Sequence, residues 1–123
     1  MQYWVVGAMW GGKREEDQIG VFIANGYWLY GYNPGEQPVQ ERRLDQIQPG
    51  DRIAIKKMLG QGSQEIEIRA IGIVTSVDPQ SRRVHVNWVL RDMNRVVPSR
   101  GAYETIHSPF APDDPWTNLV FRI

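Results

Sequence analysis

Residues 65–77 read EIEIRAIGIVTSV, residues 78–81 read DPQS, and residues 83–90 read RVHVNWVL. Ile66, Ile68 and Ala70 alternate with Glu65, Glu67 and Arg69, the period of two that marks a half-buried strand. Near Gly72 the pattern turns wholly apolar. A glycine at that change predicts a bulge or bend, as where a sheet curls toward a barrel. Asp78-Pro79-Gln80-Ser81 has the chemistry of a hairpin turn. Val84, Val86, Trp88 and Leu90 then share one face of the returning strand. This long hairpin, bent in its first arm, decides the fold class: an α+β chain built on a strongly curved sheet.

The flanking segments extend that sheet. Gln48-Pro49-Gly50-Asp51 suits a type II turn, with Pro second and Gly third, and it feeds a strand at 52–57. Residues 3–8 (YWVVGA) read as a strand buried on both faces. Residues 14–25 predict a helix. Glu15, Glu16 and Asp17 are acidic in its first turn, Ile19, Phe22 and Ile23 fall on one face, and Asn25-Gly26 provides a left-handed stop. Gly20 weakens that helix by about 1 kcal/mol relative to Ala. Residues 27–32 alternate like a strand, and 40–47 predict a short helix with Leu44 and Ile47 inward. Residues 91–123 carry Pro98, Pro109, Pro112 and Pro115 and read as irregular, with a helical turn over 102–107 and a last strand or helix end over 119–123. Five short strands and few helices predict a small open barrel with helices at its ends. Alternating βαβ units fit poorly. The 123 residues are the size of one domain, and no internal repeat interrupts them.

Composition narrows the chemistry. The chain has no cysteine, which excludes disulfides, thiolate metal sites and a Cys nucleophile. No apolar run approaches the roughly 20 residues of a membrane span. No basic leader precedes the first strand, so the expected location is the cytoplasm and no membrane is an expected partner. Basic and acidic side chains balance at 14 each, which counts against indiscriminate coating of nucleic acid. The balance is uneven along the chain, however: residues 1–41 carry −3, residues 42–100 carry +5, and residues 101–123 carry −2. A local phosphate track needs only a handful of Lys or Arg on one face.

No catalytic constellation stands out. His85 and His107 have no partner at ligand spacing, so neither a metal site nor a cofactor is expected. No G-x-S-x-G elbow and no strand–helix phosphate loop is present. The carboxylate pairs Glu65/Glu67 and Asp113/Asp114 fall on an exposed strand face and in a turn. The five tryptophans are more informative. Trp4 and Trp88 read as core, and Trp116 stays open. Trp10 follows a strand end beside two glycines, and Trp28 follows a helix stop. For this pair a core position and a stacking slot for a planar base or a methylated group weigh about equally.

The order of several short motifs resembles the PUA-like domains of the EVE/YTH group, closest to the N-terminal domains of McrB-type modification-dependent restriction proteins. Tyr3-Trp4 is similar to the opening strand of EVE domains. Gly26-Tyr27-Trp28 is similar to the Gly-x-Trp that supplies the first cage wall of YTH domains. The run from Pro49 through Gly50-Asp51-Arg52-Ile53-Ala54-Ile55-Lys56-Lys57 resembles the G-D-x-apolar strand of EVE and McrB-type domains. Ala70-Ile71-Gly72-Ile73-Val74, Val86-Asn87-Trp88-Val89-Leu90-Arg91 and Asp114-Pro115-Trp116-Thr117-Asn118 resemble later segments. The resemblance spans most of residues 1–123 and implies one PUA-like domain, a curved mixed sheet closed into an open pseudo-barrel with a few flanking helices.

It also implies a non-enzymatic reader of a modified, flipped-out base. By position, Trp28 and Trp10 become pocket walls, Tyr30 a further aromatic, and Asp17 a partner for the base edge. Lys56, Lys57, Arg82 and Arg83 are the phosphate contacts. YTH domains draw a second cage Trp from a long loop; the corresponding Asp78–Arg83 segment here is short and has no aromatic, so Trp10, Tyr30 or Trp116 takes that role. The implied partners are DNA ahead of RNA and, in a restriction or defence system, a fused or separate AAA+ GTPase or nuclease. Two rival readings stand beside this one. The first is an ASCH-like nucleoside amidohydrolase using Lys56 or Lys57, Thr75, and Glu65 or Glu67. The second is a protein-interaction module with exposed aromatic hot spots.

Overall fold

The computed structural model describes residues 1–8, 17–33, 35–60, 62–100, 105–110 and 112–122. In chain order the elements are β1 (Tyr3–Gly7), α1 (Ile19–Asn25), β2 (Tyr27–Leu29), α2 (Pro38–Gln46), β3 (Arg52–Met58), β4 (Glu65–Asp78), β5 (Arg83–Leu90), β6 (Arg95–Pro98), β7 (Ile106–Phe110) and α3 (Pro115–Phe121). All strands join one sheet in the order β2-β5-β4-β3-β1-β7, with β6 added on β4. β1 and β3 run parallel and every other pair is antiparallel, so the sheet is mixed.

β4 is the spine. One edge pairs with β3. The other pairs first with β6, from Glu65↔Pro98 to Ile68↔Arg95, and then with β5, from Ile71↔Leu90 to Asp78↔Arg83. Its alternation reverses along the way because the register slips. Ile55 faces Ala70 and Lys56 faces Ile68, which leaves Arg69 as an extra residue. Ile66 and Ile68 therefore join one buried cluster, and Ala70 and Val74 the other. A second slip on β5 sets Leu90 against Ile71 and Trp88 against Gly72, leaving Val89 unpaired. That is why Leu90 leaves the face of Val84, Val86 and Trp88. Bulges of this kind sharpen bend and twist.

Gly72 sits at the predicted bend, for a reason of space. A Cβ there would stand 2.7 Å from the Asn87 carbonyl oxygen and 2.9 Å from the Trp88 ring, and against the Val86 side chain. β5 crosses β4 too closely for any side chain at this position.

Apolar residues cover both faces. The inner cluster holds Trp4, Val6, Phe22, Trp28, Ile53, Ile55, Val84, Val86 and Trp88, with Leu44 from α2. The outer cluster holds Val5, Ala54, Ile66, Ile68, Ile71 and Val97 beneath Trp116, Val120 and Phe121 of α3. β1 is thus buried on both faces, as its sequence predicts. The curl, a half-barrel with three short helices, is closed across its inside by Trp28. Its indole N–H donates to the Gly7 carbonyl at 2.8 Å, joining β2 to β1 with three strands between them in the sheet order.

Several expectations need correction. The first helix begins at Ile19, and residues 14–16 of its predicted span lie outside the described residues. Strand β2 stops at Leu29: Tyr30 still donates its N–H in register to the Arg82 carbonyl, but Arg82, at φ +56, already belongs to the turn before β5. The region read as irregular holds β6, β7 and α3, so the described residues form seven strands rather than five. Ile106 and His107, expected in a helical turn, belong to β7; residues 102–104 lie outside the described residues. Residues 119–121 are the end of α3, which Asp114 caps by accepting the Trp116 N–H at 2.9 Å and Pro115 opens. Two other signals hold. Gly50 has φ +93 and Asp51 N–H bonds the Gln48 carbonyl, as a type II turn requires; Gly26 ends α1 at φ +70. Among the described residues no helix is long and apolar enough to cross a membrane.

Candidate functional site

The candidate site lies where β1 ends. The chain leaves the sheet at Ala8 and returns at Asp17, and the Gln18 N–H joins the two ends by donating to the Ala8 carbonyl at 2.8 Å. Trp10 lies between these ends, outside the described residues. Gly7 is held on both sides: its N–H donates to the Thr105 carbonyl at 2.8 Å, and its carbonyl accepts from Trp28. Asp17 accepts the Ile19 N–H at 2.9 Å and sets its other oxygen 4.0 Å from Lys57 Nζ. Both side chains of that pair are about a quarter exposed, so it contributes under about 1 kcal/mol and yields readily to a ligand.

Trp28, Tyr30 and Tyr32 form an aromatic arc. Their ring centroids are 6.3 Å and 5.5 Å apart in sequence order. The arc closes on itself, because Thr105 Oγ1 donates to the Tyr32 hydroxyl at 3.2 Å while the Thr105 carbonyl holds Gly7. Trp28 is wholly buried and Tyr30 nearly so; Tyr32, at the open end, is 37 % exposed. Arg82 covers Tyr30. Its guanidinium stands 5.3 Å from the ring centroid, bonds Glu41 at 2.8 Å and donates to the Tyr32 carbonyl at 2.8 Å. The Tyr30 hydroxyl is buried with no hydrogen-bond partner among the described residues. Burial, and next the Glu41 charge, push its pKa above the ordinary tyrosine value, while Arg82 pulls the other way.

The remaining candidates divide. Lys57 is at the surface beside Asp17. Lys56 is 3 % exposed. Strand alternation sets it on the outer face with Ala54, its stem under Gly7, and it is engaged within the fold. It is not presented to a phosphate. Arg83 stacks on Tyr27 at 4.6 Å, a different ring from the one Arg82 covers. Asp17 and Lys57 thus meet beside the end of β1, and Trp28 reaches it through the Gly7 carbonyl with Tyr30 and Arg82 packed behind it in the aromatic arc; Lys56 and Arg83 are directed elsewhere. Tyr32 and Thr105 were not singled out in the sequence. The alternation Trp28, Tyr30, Tyr32 carried the signal for Tyr32; nothing local marks Thr105.

Beside Arg82, a groove of about 420 Å³ runs between α2 and the β4–β5 turn, with Leu44, Ile47 and Val77 on its floor and Glu41, Asp45 and Asp78 at its rim. Hydrogen bonds from Ser81 hold the Asp78 carboxyl below the usual carboxylate range. Of the other acidic residues weighed in the sequence, Glu67 pairs with Arg69 at 3.2 Å and Asp114 with Arg100 at 2.7 Å. Lys57 faces Glu67 across the ladder, but Thr75 lies about 25 Å farther along β4 at strand rise. The Lys, Glu and Thr of the amidohydrolase reading are not brought together. Among the described residues no group of three His, Asp or Glu could hold a metal ion. No model of a known protein family matches the chain, and no curated protein matches it.

Proposed function

We propose that this chain is a non-enzymatic nucleic-acid-binding module of PUA-like, EVE/YTH-like type. It takes one flipped-out, modified base at the end of β1. One observation carries the reading: the Asp17–Lys57 pair lies beside the point where the chain leaves β1, and Trp28, with Tyr30 and Arg82 packed behind it, bonds the Gly7 carbonyl there. Trp28 is the buried back of this site and holds Gly7. In this reading Trp10, on the segment that follows β1 in the sequence, is the residue on which the base stacks. The Asp17 carboxylate accepts from an exocyclic amine of the base, and Lys57 and Arg82 meet the phosphates.

The energetics suit this division of labour. Stacking on an aromatic ring is worth about 1–3 kcal/mol per base, and unstacking a duplex base costs a few kcal/mol. Phosphate contacts must supply the remainder, so affinity falls steeply with salt. DNA is the favoured partner, and the reader belongs with an AAA+ GTPase or nuclease of a restriction or defence system. The test is binding of oligonucleotides carrying 5-methylcytosine, 5-hydroxymethylcytosine, N6-methyladenine or no modification. Trp10→Ala removes the preference for the modified strand and Lys57→Gln weakens binding to all of them. A folded Trp10→Ala protein with its preference intact contradicts the reading.

A further inference from the structure

On the opposite face of the sheet, a cleft of about 240 Å³ opens between α3 and the strands β1, β3 and β4. Tyr3, Ile71 and Phe121 form its apolar walls, the two rings meeting edge to face at 4.9 Å. Among the described residues its polar lining is Arg52, Arg122, Asn118 and Thr117, with no Asp or Glu. Among the described residues neither arginine takes part in an ion pair. Arg52 uses one nitrogen on the Gly50 carbonyl at 2.7 Å, which leaves most of its donors unspent. The Thr117 hydroxyl is buried with no hydrogen-bond partner among the described residues.

Cations gather at helix C-termini for electrostatic reasons alone, and Arg95 does so here, donating to the Val120 carbonyl at 2.9 Å. That attraction does not account for Arg52, which comes from β3 and bonds a turn. Arg122, the C-cap of α3, adds a further positive charge close enough to Arg95 to lower its pKa, after burial the larger cause. Arg52 and Arg122 line the cleft with no carboxylate beside them among the described residues, and like charges so placed repel one another until an anion enters. Guanidinium pairs match the oxygens of a phosphate in particular.

We propose that this cleft binds a phosphate-type anion, held by Arg52 and Arg122 with Asn118 at its side. The source is inorganic phosphate or the phosphate of a nucleotide, whose nucleoside would rest on Tyr3. The site shares no residue with the base site at the end of β1, so the two readings fail independently.

The test titrates the full chain at low ionic strength with inorganic phosphate, with chloride at matched ionic strength as control. Thermal stability and arginine side-chain resonances report binding. The expected result is a saturable rise in melting temperature with phosphate, weakened about tenfold in Arg122→Gln, an exposed residue whose replacement spares the core. Arg42→Gln, at an exposed position of α2 outside both sites, leaves it unchanged. A nucleoside monophosphate that binds more tightly than phosphate supports the nucleotide source; equal binding supports the free anion. Absence of saturation in the parent chain, or saturation unchanged in the Arg52→Gln/Arg122→Gln double variant, overturns the proposal.

Discussion

The indole N–H of Trp28 donates to the carbonyl of Gly7 at 2.8 Å and so ties the first strand of the sheet order to the fifth. This single bond crosses the inside of the curl. Trp28 is also fully buried, so its removal tests the fold before it tests any ligand. Trp28→Ala is expected to cost about 3–5 kcal/mol. Trp28→Phe keeps most of the ring, strands the Gly7 carbonyl and costs about 1–3 kcal/mol. Urea unfolding with an unchanged slope measures both.

Asp51 ties the turn before β3 to the start of β1. Its carboxylate accepts from the Gln2 N–H at 2.9 Å, the Trp4 indole at 2.9 Å and the Gln48 N–H at 3.0 Å, and the residue is 4 % exposed. Asn at this position turns an amide donor toward one of those donors. Asp51→Asn is therefore expected to destabilise by about 1–3 kcal/mol in thermal or chemical unfolding.

Gly72→Ala is expected to destabilise the protein by about 1–3 kcal/mol although alanine is a mild change elsewhere. The new methyl meets the Asn87 carbonyl, which is backbone and cannot swing aside. Trp88 fluorescence should report the displaced strand alongside the lower melting temperature. An alanine variant with parent stability would mean that β5 does not cross β4 this closely.

Tyr30→Phe removes a buried hydroxyl that has no partner among the described residues. At neutral pH the variant should match the parent chain or exceed it by up to about 1 kcal/mol. At alkaline pH the two should part. The folded pKa of Tyr30 stands above its ordinary value. The neutral phenol's contribution is thus full below about pH 10 and is lost as pH rises through the folded value. Unfolding midpoints measured into the alkaline range should fall more steeply for the parent chain than for Tyr30→Phe.

The strands that carry long apolar alternation were legible in the sequence. β3, β4 and β5 lie within a residue of their predicted ends, and Gly72 marks the bend. The short elements were not. β6 has four residues and β7 five, too few for periodicity to register. The outward edge of β7 is satisfied by side chains of α2. Gln40 accepts the Ile106 N–H and Arg43 donates to its carbonyl, each at 2.7 Å. No local pattern announces such a partnership between residues 63 and 66 positions apart.

For the candidate site, residue type was legible and direction was not. Lys56 and Lys57 are adjacent and chemically alike, yet alternation buries one and leaves the other partly exposed beside Asp17. Arg82 and Arg83 likewise settle on different rings. Trp28 could be read as wall or core with equal warrant until the Gly7 bond fixed its nitrogen inside the curl.

The central claim is that the end of β1 receives a modified base. The most direct test is fluorescence anisotropy of the parent chain against matched oligonucleotides, with and without each modified base, over a range of salt concentrations. The account predicts at least about tenfold tighter binding of one modified strand, with log affinity falling linearly in log salt and a slope about one unit shallower in Lys57→Gln. Equal binding of modified and unmodified strands, or no binding to any of them at low salt, would contradict it.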